Sequence, residues 1–536
     1  MSRPAITARA PRGDAAVDIG DDPEILRSFL EDAAHFPGGH AAAIASPASE
    51  AAIAHLLRVA DTVLPIGAQS SLTGGATPMG ETLLSTARLK RIGPSTDGSI
   101  RVGAGVALAD LDAVLAREGK SYPPVPTFMG AFIGGTVATN AAGAATFKYG
   151  TTRDWVRALT VVLPTGDVLD LERGRTCADA SGGFDIRLAD RSVRVQVPRY
   201  RLPRVPKVSA GFFAAPAMDL IDLFIGAEGT LGIITEITLK LVPVRPATCL
   251  AFVPFEDRGA ALSFVGFLRQ QALQTWRDHD PRGLDVCAIE HMDARCLELL
   301  REDGIDHTYG VRVPGGAVMA LLITIELPPG ITSAQAYDEI GRFGDTGAPD
   351  TPLTRFCRAL AAAGAVDDVA IAVPGDDARA AQLLALREAV PAAVNARVGR
   401  AKIALDARIA KTAGDVIVPF DRIGELMNRY DAEFAQRGLD AAVWGHISDG
   451  NLHPNVIPRS WAEAEAGRAA IREFGREAIR MGGSPLAEHG VGRNPIKQQL
   501  LVDLYGADGI DEMRAIKRVL DPDYKLAPGV IFERDR

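Results

Sequence analysis

The chain has little cysteine and no long apolar run, and each absence excludes a class of protein. Its five cysteines are scattered among 536 residues without a C-x-x-C spacing, so we expect neither a disulfide framework nor an iron–sulfur cluster. The amino-terminal stretch MSRPAITARAPRGD lacks the apolar core of a secretion signal. The longest apolar run, Ala317 to Ile325, is too short to span a bilayer. We therefore predict a cytoplasmic protein without a transmembrane segment, associated with the inner membrane at most peripherally.

Basic residues are also in the minority. Lysine and arginine number 58 and aspartate and glutamate number 67, which gives a net charge of −9. This balance argues against nucleic acid or an anionic membrane surface as a partner. An anionic substrate would therefore need a local positive site. The apolar content of 47% is ample for the roughly three structural units that the length suggests.

Glycine, in contrast, is concentrated in two tracts. The first is Pro65–Gly80, PIGAQSSLTGGATPMG, which follows an apolar segment. Its glycines, among them Gly67 and Gly74, allow the backbone to turn so that successive N–H groups point into one concavity, and its hydroxyl groups add donors. The tract therefore predicts a phosphate cradle, with an ordinary surface turn as the alternative.

The second tract is Pro123–Gly150, in which glycine and alanine leave little side-chain bulk. Such a backbone is suited to lie against a flat ring system, and a loose loop is the alternative. A G-x-G sequence at Gly103 and Gly105 does not continue as a dinucleotide fingerprint, because Leu108 stands at the sixth position. We therefore expect no nicotinamide cofactor.

The distribution of helix and strand signals divides the chain into four segments. Residues 1–45 predict a poorly ordered N-terminal arm with one short helix near 22–34. Residues 46–245 carry both glycine tracts. Residues 246–440 alternate strands with helices, which is typical of a second α+β domain. Residues 441–536 form the carboxyl-terminal segment.

This last segment contains a predicted histidine hairpin, VWGHISDGNLHPNVI, with a turn signal at 449–450. A loop of two residues (449–450) or four residues (448–451) places His446 directly opposite His453, so that both imidazoles project from one face. With Glu488, in the stretch SPLAEHGVG, they form a candidate open Zn²⁺ or Mn²⁺ site. Structural roles for the histidines are the alternative.

Two sets of motifs resemble known families. The two glycine tracts and IGAEGTLGIIT (225–235) resemble the three flavin-binding segments of the vanillyl-alcohol oxidase and p-cresol methylhydroxylase superfamily. The patterns His446-Ile-Ser-Asp-Gly-Asn-Leu-His453 and Glu488-His-Gly-Val-Gly492 resemble the FAD-linked D-2-hydroxyacid dehydrogenases, with Ser448 in place of a family glycine. The resemblance implies an α+β fold: a two-part FAD-binding domain of the p-cresol methylhydroxylase type, an α+β substrate (cap) domain, and a C-terminal helical segment packing back on the FAD domain.

The resemblance also implies which residues bind FAD. Gln69 stands where covalently linked members often have histidine, so we expect the cofactor to be bound without a covalent bond. The first tract would hold the pyrophosphate, the second would lie along the isoalloxazine and ribityl chain, and the third would line the adenosine side. The implied cofactor-binding residues are Pro65, Gly67, Ala68, Gln69, Ser70, Ser71, Leu72, Thr73, Gly74, Pro126, Thr127, Gly130, Gly134, Gly135, Ala138, Asn140, Gly143, Tyr149, Gly150, Glu228, Gly229, Gly232 and Ile233.

The same likeness implies the chemistry, the oxidation of a D-2-hydroxyacid of the D-lactate type to its 2-oxoacid. Hydride would pass from Cα to flavin N5, and the metal would polarise the hydroxyl group. The implied site residues are His446, His453 and Glu488 as metal ligands, His489 as base, Asn455 at the substrate, Arg387 on its carboxylate and Lys411 as a weaker second cation. The expected partners are the small anionic hydroxyacid, a quinone or electron-transfer protein as electron acceptor, and a second copy of the chain in a homodimer.

Two other functions remain open at this stage. One is a flavin oxidase of the same superfamily that acts on an alcohol or aldose with O₂. The other is a zinc hydrolase in which His446, His453 and Glu488 activate water and the glycine tracts are structural. The sequence does not fix the hydroxyacid, the acceptor, the metal or the oligomeric state.

Overall fold

The computed structural model describes residues 5–124 and 126–533. The chain folds into two compact units. The first unit contains Met1–Gly143, Gly150–Pro243 and Ser484–Arg536, and the second contains Ala144–Tyr149 and Val244–Gly483. The predicted carboxyl-terminal segment, residues 441–536, is therefore shared between the two units.

Helices and strands alternate along most of the chain. In chain order they are β1 (Ala5–Thr7), β2 (Ile19–Gly20), α1 (Pro23–Arg27), β3 (Ala43–Ala45), α2 (Glu50–Val59), β4 (Val63–Ile66), β5 (Thr82–Ser85), β6 (Ile92–Thr96), β7 (Ser99–Gly103), α3 (Leu108–Arg117), α4 (Ile133–Ala138), α5 (Thr146–Tyr149), α6 (Thr152–Trp155), β8 (Val156–Val162), β9 (Val168–Glu172), β10 (Gly183–Arg187), β11 (Ser192–Gln196), α7 (Ile221–Phe224), β12 (Ile233–Lys240), β13 (Ala247–Phe255), α8 (Arg258–Asp278), β14 (Val286–Asp293), α9 (Ala294–Glu302), α10 (Ile305–Thr308), β15 (Met319–Leu327), α11 (Ser333–Arg342), α12 (Pro352–Ala362), β16 (Ala370–Ala372), α13 (Asp377–Ala404), β17 (Thr412–Ala413), β18 (Val416–Ile417), a 3-10 turn (Phe420–Arg422), α14 (Ile423–Arg437), β19 (Ala441–His446), β20 (Asn451–Val456), α15 (Trp461–Arg480) and α16 (Pro495–Leu520).

The first unit is built on two principal sheets. One has the strand order β2-β3-β5-β4 and the other β6-β7-β12-β8-β9. In the five-stranded sheet, β12 is central, and its alternating sequence buries Ile237 and Leu239. Helix α3 packs against the interior through one apolar face, on which Leu108, Leu111 and Leu115 are all buried.

The prediction of a poorly ordered N-terminal arm is wrong for the described residues 5–45. Strand β1 pairs in parallel with β10, and β2 and β3 extend the four-stranded sheet. The predicted helix near 22–34 is a shorter α1, which begins after Asp22, whose side chain accepts a hydrogen bond from the Glu24 N–H. Composition suggested disorder because it does not reveal pairing with strands that are distant in sequence.

The carboxyl-terminal residues of the first unit are held by polar contacts. The buried Lys517 donates to the backbone carbonyls of Thr230 and Leu526. The Glu228 carboxylate accepts hydrogen bonds from the N–H groups of Val491 and Gly492, each at 2.8 Å. The stretch IGAEGTLGIIT (225–235), the third glycine motif, therefore contacts the carboxyl-terminal residues of the first unit directly.

The second unit contains an antiparallel sheet with the order β16-β13-β15-β14-β19-β20-β17, and β18 also pairs with β20. Helices α9 and α13 cover one face of this sheet, where Leu322 of β15 belongs to the same buried apolar cluster as Leu386 and Val390 of α13. The predicted alternation of strands and helices after Pro246 is confirmed. Within the described residues, no helix combines the length and apolar character needed to cross a membrane.

We predict that Glu228 makes the stability of the protein pH-dependent. Burial raises the pKa of Glu228 from 4.5 to about 7. Between these values the folded state holds a proton that the unfolded state releases, so stability falls as the pH rises from about 4.5 to 7 and then levels off. The loss is at most about 3 kcal/mol.

The Glu228→Gln variant lacks this titration. The midpoint of thermal unfolding of the variant minus that of the wild type should therefore be more positive at pH 8 than at pH 5. Midpoints of both proteins at the two pH values provide the measurement. A difference between them that does not change with pH would contradict the prediction.

Candidate functional site

The loop that follows β4 in the first unit is the predicted phosphate cradle. Gln69 has a φ of +50°, and its side-chain amide donates to the carbonyls of Phe29 at 2.9 Å and Ala76 at 2.8 Å. Gly74 has a φ of +76°, and a Cβ there would lie 2.5 Å from the Phe36 ring. The loop is thus fixed by Gln69 and requires glycine at Gly74.

The backbone of this loop suits an anion. Over the described residues, the N–H groups of residues 67–72 donate to no protein acceptor, although these residues, apart from Leu72, are half-buried. Proteins commonly bind phosphate through consecutive backbone N–H groups of a glycine-rich turn that have no acceptor within the protein. The residues present therefore fit the pyrophosphate of FAD.

The three glycine motifs meet within the first unit. The N–H groups of Gly226 and Glu228 donate to the carbonyls of Val137 and Ala138 in α4. A Cβ on Gly229 would lie 2.6 Å from the ring of Pro65. The structure therefore brings together parts of all three predicted flavin-binding segments.

Other predicted cofactor residues have different surroundings. Gly232 and Ile233 lie at the start of β12, where a Cβ on Gly232 would meet Val161 at 2.5 Å, so they are packed into the protein interior. Tyr149 belongs to the second unit, and its hydroxyl donates to the Glu326 carboxylate. Asn140 accepts a hydrogen bond from the Arg153 N–H. Their roles toward FAD stay predictions.

In the second unit, β19 and β20 form the predicted histidine hairpin, but with another register. The structure pairs Trp444 with His453, so the loop is the four-residue 447–450 and His446 is not directly opposite His453. The predicted register is therefore wrong. Its cause is an Asx-type turn, in which the Asp449 side chain accepts the Asn451 N–H at 3.1 Å.

The observed register differs from the predicted one by two residues. Because side chains alternate between the faces with a period of two, both histidines stay on the same face of the hairpin. Their ring centroids are 5.6 Å apart and the rings are nearly perpendicular. Both side chains are buried. The hairpin therefore brings His446 and His453 together, as the sequence predicts.

A carboxylate that the sequence analysis missed lies beside His446. Glu290 in β14 is directly across from His446, and its Oε1 is 2.8 Å from the imidazole Nδ1. Its Oε2 accepts hydrogen bonds from Nε and Nη2 of Arg387 at 3.0 and 2.9 Å. Burial alone would raise the pKa of Glu290, but Arg387 and His446 lower it to about 2. Nδ1 of His446 therefore donates to an ionised carboxylate.

The predicted anchor Arg387 is itself buried in α13. Its Nη1 atom also donates to Glu388 at 3.3 Å. One edge of its guanidinium is therefore used by Glu290, a contact that the sequence analysis did not foresee.

The remaining predicted groups of the second unit lie on β20 and just before β17. Asn455 is buried and donates to the carbonyl of His453 at 2.9 Å. Asp415, also buried, has an oxygen 3.7 Å from Nδ1 of His453. The ammonium group of Lys411 makes no hydrogen bond or ion pair with any described residue. Burial lowers the pKa of Lys411 to about 8.

The predicted acid and base, Glu488 and His489, lie in the first unit. Lys207, whose side chain is fully buried, donates to the Glu488 carboxylate at 2.6 Å. The Ser209 N–H donates to the carbonyl of Leu486 and fixes this segment. His489 is partly exposed, with Nε2 3.5 Å from a Glu488 oxygen. Lys207 was also missed, because no local pattern marks it.

Two known protein families match the chain. Residues 41–172 match the family described as FAD binding domain, and residues 260–531 match FAD linked oxidases, C-terminal domain. In fold, the chain is similar to an alkyldihydroxyacetonephosphate synthase structure, with a TM-score of 0.58 and 16% identity over 95% of this chain and 83% of that one.

Curated relatives are similar over most of their length. A D-2-hydroxyglutarate dehydrogenase of Xanthomonas citri pv. viticola is 29% identical, over 92% of this chain and 89% of its own. A D-lactate dehydrogenase of Anaerostipes hadrus is 28% identical, over 88% of this chain and 84% of its own. The glycolate oxidase subunit GlcD of Bacillus subtilis is 27% identical, over 88% and 84%.

The matched domains define a FAD-linked oxidoreductase, and with the fold they confirm the predicted fold class and FAD as a cofactor. The chain belongs to the FAD-linked oxidases. This assignment places the glycine tracts in a flavin-binding domain and does not favour the zinc hydrolase.

We predict that Gly74→Ala lowers FAD occupancy. The added methyl group would meet the Phe36 ring and displace the cradle. Gly98→Ala is the matched control, because Gly98 also has a positive φ, +66°, but has open space around its Cβ position. The ratio of flavin to protein absorbance after purification should fall in the first variant only. Equal ratios in the two variants would contradict the steric explanation.

Proposed function

We propose that this protein is a FAD-dependent dehydrogenase that oxidises a small D-2-hydroxyacid, of the D-lactate type, to the 2-oxoacid. The observation that carries the proposal is the buried cluster of His446, His453, Glu290 and Arg387 in the second unit. It combines a cation suited to a carboxylate with imidazoles suited to a metal ion. The names of the curated relatives support the same substrate class.

We propose that Arg387 and Lys411 bind the substrate carboxylate and that Asn455 contacts the substrate. A guanidinium offers directional hydrogen bonds, and Lys411 adds a second positive charge below its pKa of about 8. FAD, held by the first unit, would supply the hydride acceptor. A quinone or an electron-transfer protein would then reoxidise it.

Proton removal is assigned to His489. A histidine is suited to accept a proton near neutral pH. We propose that His446, His453 and Glu488 hold Zn²⁺ or Mn²⁺, which would make the hydroxyl group more acidic. Because Glu290 accepts a hydrogen bond from Nδ1 of His446, the neutral ring carries its lone pair on Nε2, as metal ligation requires.

We predict that D-2-hydroxyacids bleach the bound flavin without oxygen. D-lactate, D-2-hydroxyglutarate and glycolate, with L-lactate as the stereochemical control, are mixed anaerobically with the holoenzyme, and absorbance near 450 nm is followed. Turnover is then measured with an artificial dye, before and after chelation. Failure of every hydroxyacid to bleach the flavin would end the proposal, whereas turnover that needs O₂ and yields H₂O₂ would favour the oxidase.

The same assay tests the base. His489→Ala should retain FAD but lose most of the flavin reduction, because the hydroxyl proton would have no acceptor. The exposed His307→Ala is the matched control and should reduce flavin as the wild type does. Normal reduction in His489→Ala would remove His489 from the mechanism.

We predict that substrate binding weakens as Lys411 loses its charge. Since the pKa of Lys411 is lowered to about 8, the group is cationic below that pH and neutral above it. KM for the hydroxyacid should therefore rise by several-fold between about pH 7 and 9. Lys411→Arg should have a flat profile, and Lys411→Met should have the high KM already at pH 7. Lys402→Met, an exposed control on α13, should behave like the wild type.

A further inference from the structure

Glu290 occupies a position that the strand register determines. It lies in β14, with Leu322 of β15 on one side and His446 of β19 on the other. Directly opposed residues of antiparallel strands project from the same face, at a separation that side chains can bridge. The contact between Glu290 and His446 is therefore a consequence of the sheet and not of a flexible loop.

The two oxygens of this carboxylate serve two different partners. Oε1 lies 2.8 Å from Nδ1 of His446, and Oε2 accepts both Nε and Nη2 of Arg387. Arg387 reaches the face from α13, which is anchored on the sheet by Leu386 and Val390. A single side chain thus links a sheet residue to a helix residue.

Stability does not explain this cluster. Glu290 is 8% exposed, Arg387 7% and His446 3%. Desolvation of buried ions offsets most of their attraction, so apolar side chains at such positions are often equally or more stabilising. A buried charged cluster on a face that otherwise packs leucine and valine therefore points to a functional requirement.

We propose that Glu290 is a positioning residue that aligns the substrate anchor Arg387 with the metal ligand His446. This inference rests on the proposed function, which assigns those two roles. One rigid carboxylate would fix the Nε2-ligating form of the imidazole and, at the same time, the orientation of the guanidinium. Retention of metal and recognition of the substrate carboxylate would then depend on the same side chain.

The test replaces Glu290 by glutamine, which has a similar shape but presents an NH₂ group to one of the two donors. Zn²⁺ affinity of the metal-depleted, FAD-loaded protein is measured by calorimetry, a readout that does not need turnover. We expect an affinity about 10–100-fold lower than in the wild type. At saturating Zn²⁺, kcat should largely recover while KM for D-lactate stays about tenfold high, because metal excess does not realign Arg387.

Two further variants complete the design. Glu388→Gln removes another carboxylate that contacts Arg387, a half-exposed one at 3.3 Å. This variant should change the Zn²⁺ affinity and the KM for D-lactate by less than about twofold. Glu290→Asp keeps the negative charge but is one methylene shorter, so it should fold and still lose Zn²⁺ affinity. It preserves the test if the glutamine variant is unstable.

Each outcome decides one proposal. Zn²⁺ affinity equal to that of the wild type in both Glu290 variants would overturn the positioning role, as would an equal loss in Glu388→Gln. A wild type that binds no Zn²⁺ would also overturn the positioning role of Glu290. A wild type that binds Zn²⁺ but oxidises no hydroxyacid would instead overturn the proposed function, and the affinity comparison would still decide the role of Glu290.

Discussion

The candidate site depends on the pairing of ionised groups that lie away from water. Glu290 is shared by Arg387 and His446 in the second unit. In the first unit, Lys207 is buried against Glu488. Each pair joins elements that are remote in sequence, so each also fixes where those elements lie. The candidate catalytic groups are thus held by the same contacts that make their burial tolerable.

The sequence predicted features that depend on local chemistry. The glycine tract predicts a loop with positive φ, and the structure confirms this for Gly74 but not for Gly67 or Gly75. The hairpin at His446 and His453 was predicted from its turn residues, and both rings do share a face. Its predicted register was wrong by two residues, because the Asp449 side chain accepts a hydrogen bond from the Asn451 N–H and stabilises a different turn.

What the sequence did not predict is long-range pairing. Glu290 and His446 are 156 residues apart, and Lys207 and Glu488 are 281 apart. No periodicity or spacing connects such residues, since their contacts arise only once the sheet and the segment after Gly483 have folded. The strands of the N-terminal arm were missed for the same reason: β1 finds its partner β10 far along the chain.

The pairing of Arg387 has an electrostatic consequence for the proposed substrate. The negative charge of Glu290 balances that of the guanidinium, so this pair carries no net charge. The whole chain carries −9, so a hydroxyacid anion gains no general attraction from the protein. The proposed cations, Lys411 and a divalent ion, would then supply the net positive charge at the site. Arg387, already oriented by Glu290, would contribute direction more than charge, because a fixed guanidinium loses little conformational entropy when it binds a carboxylate.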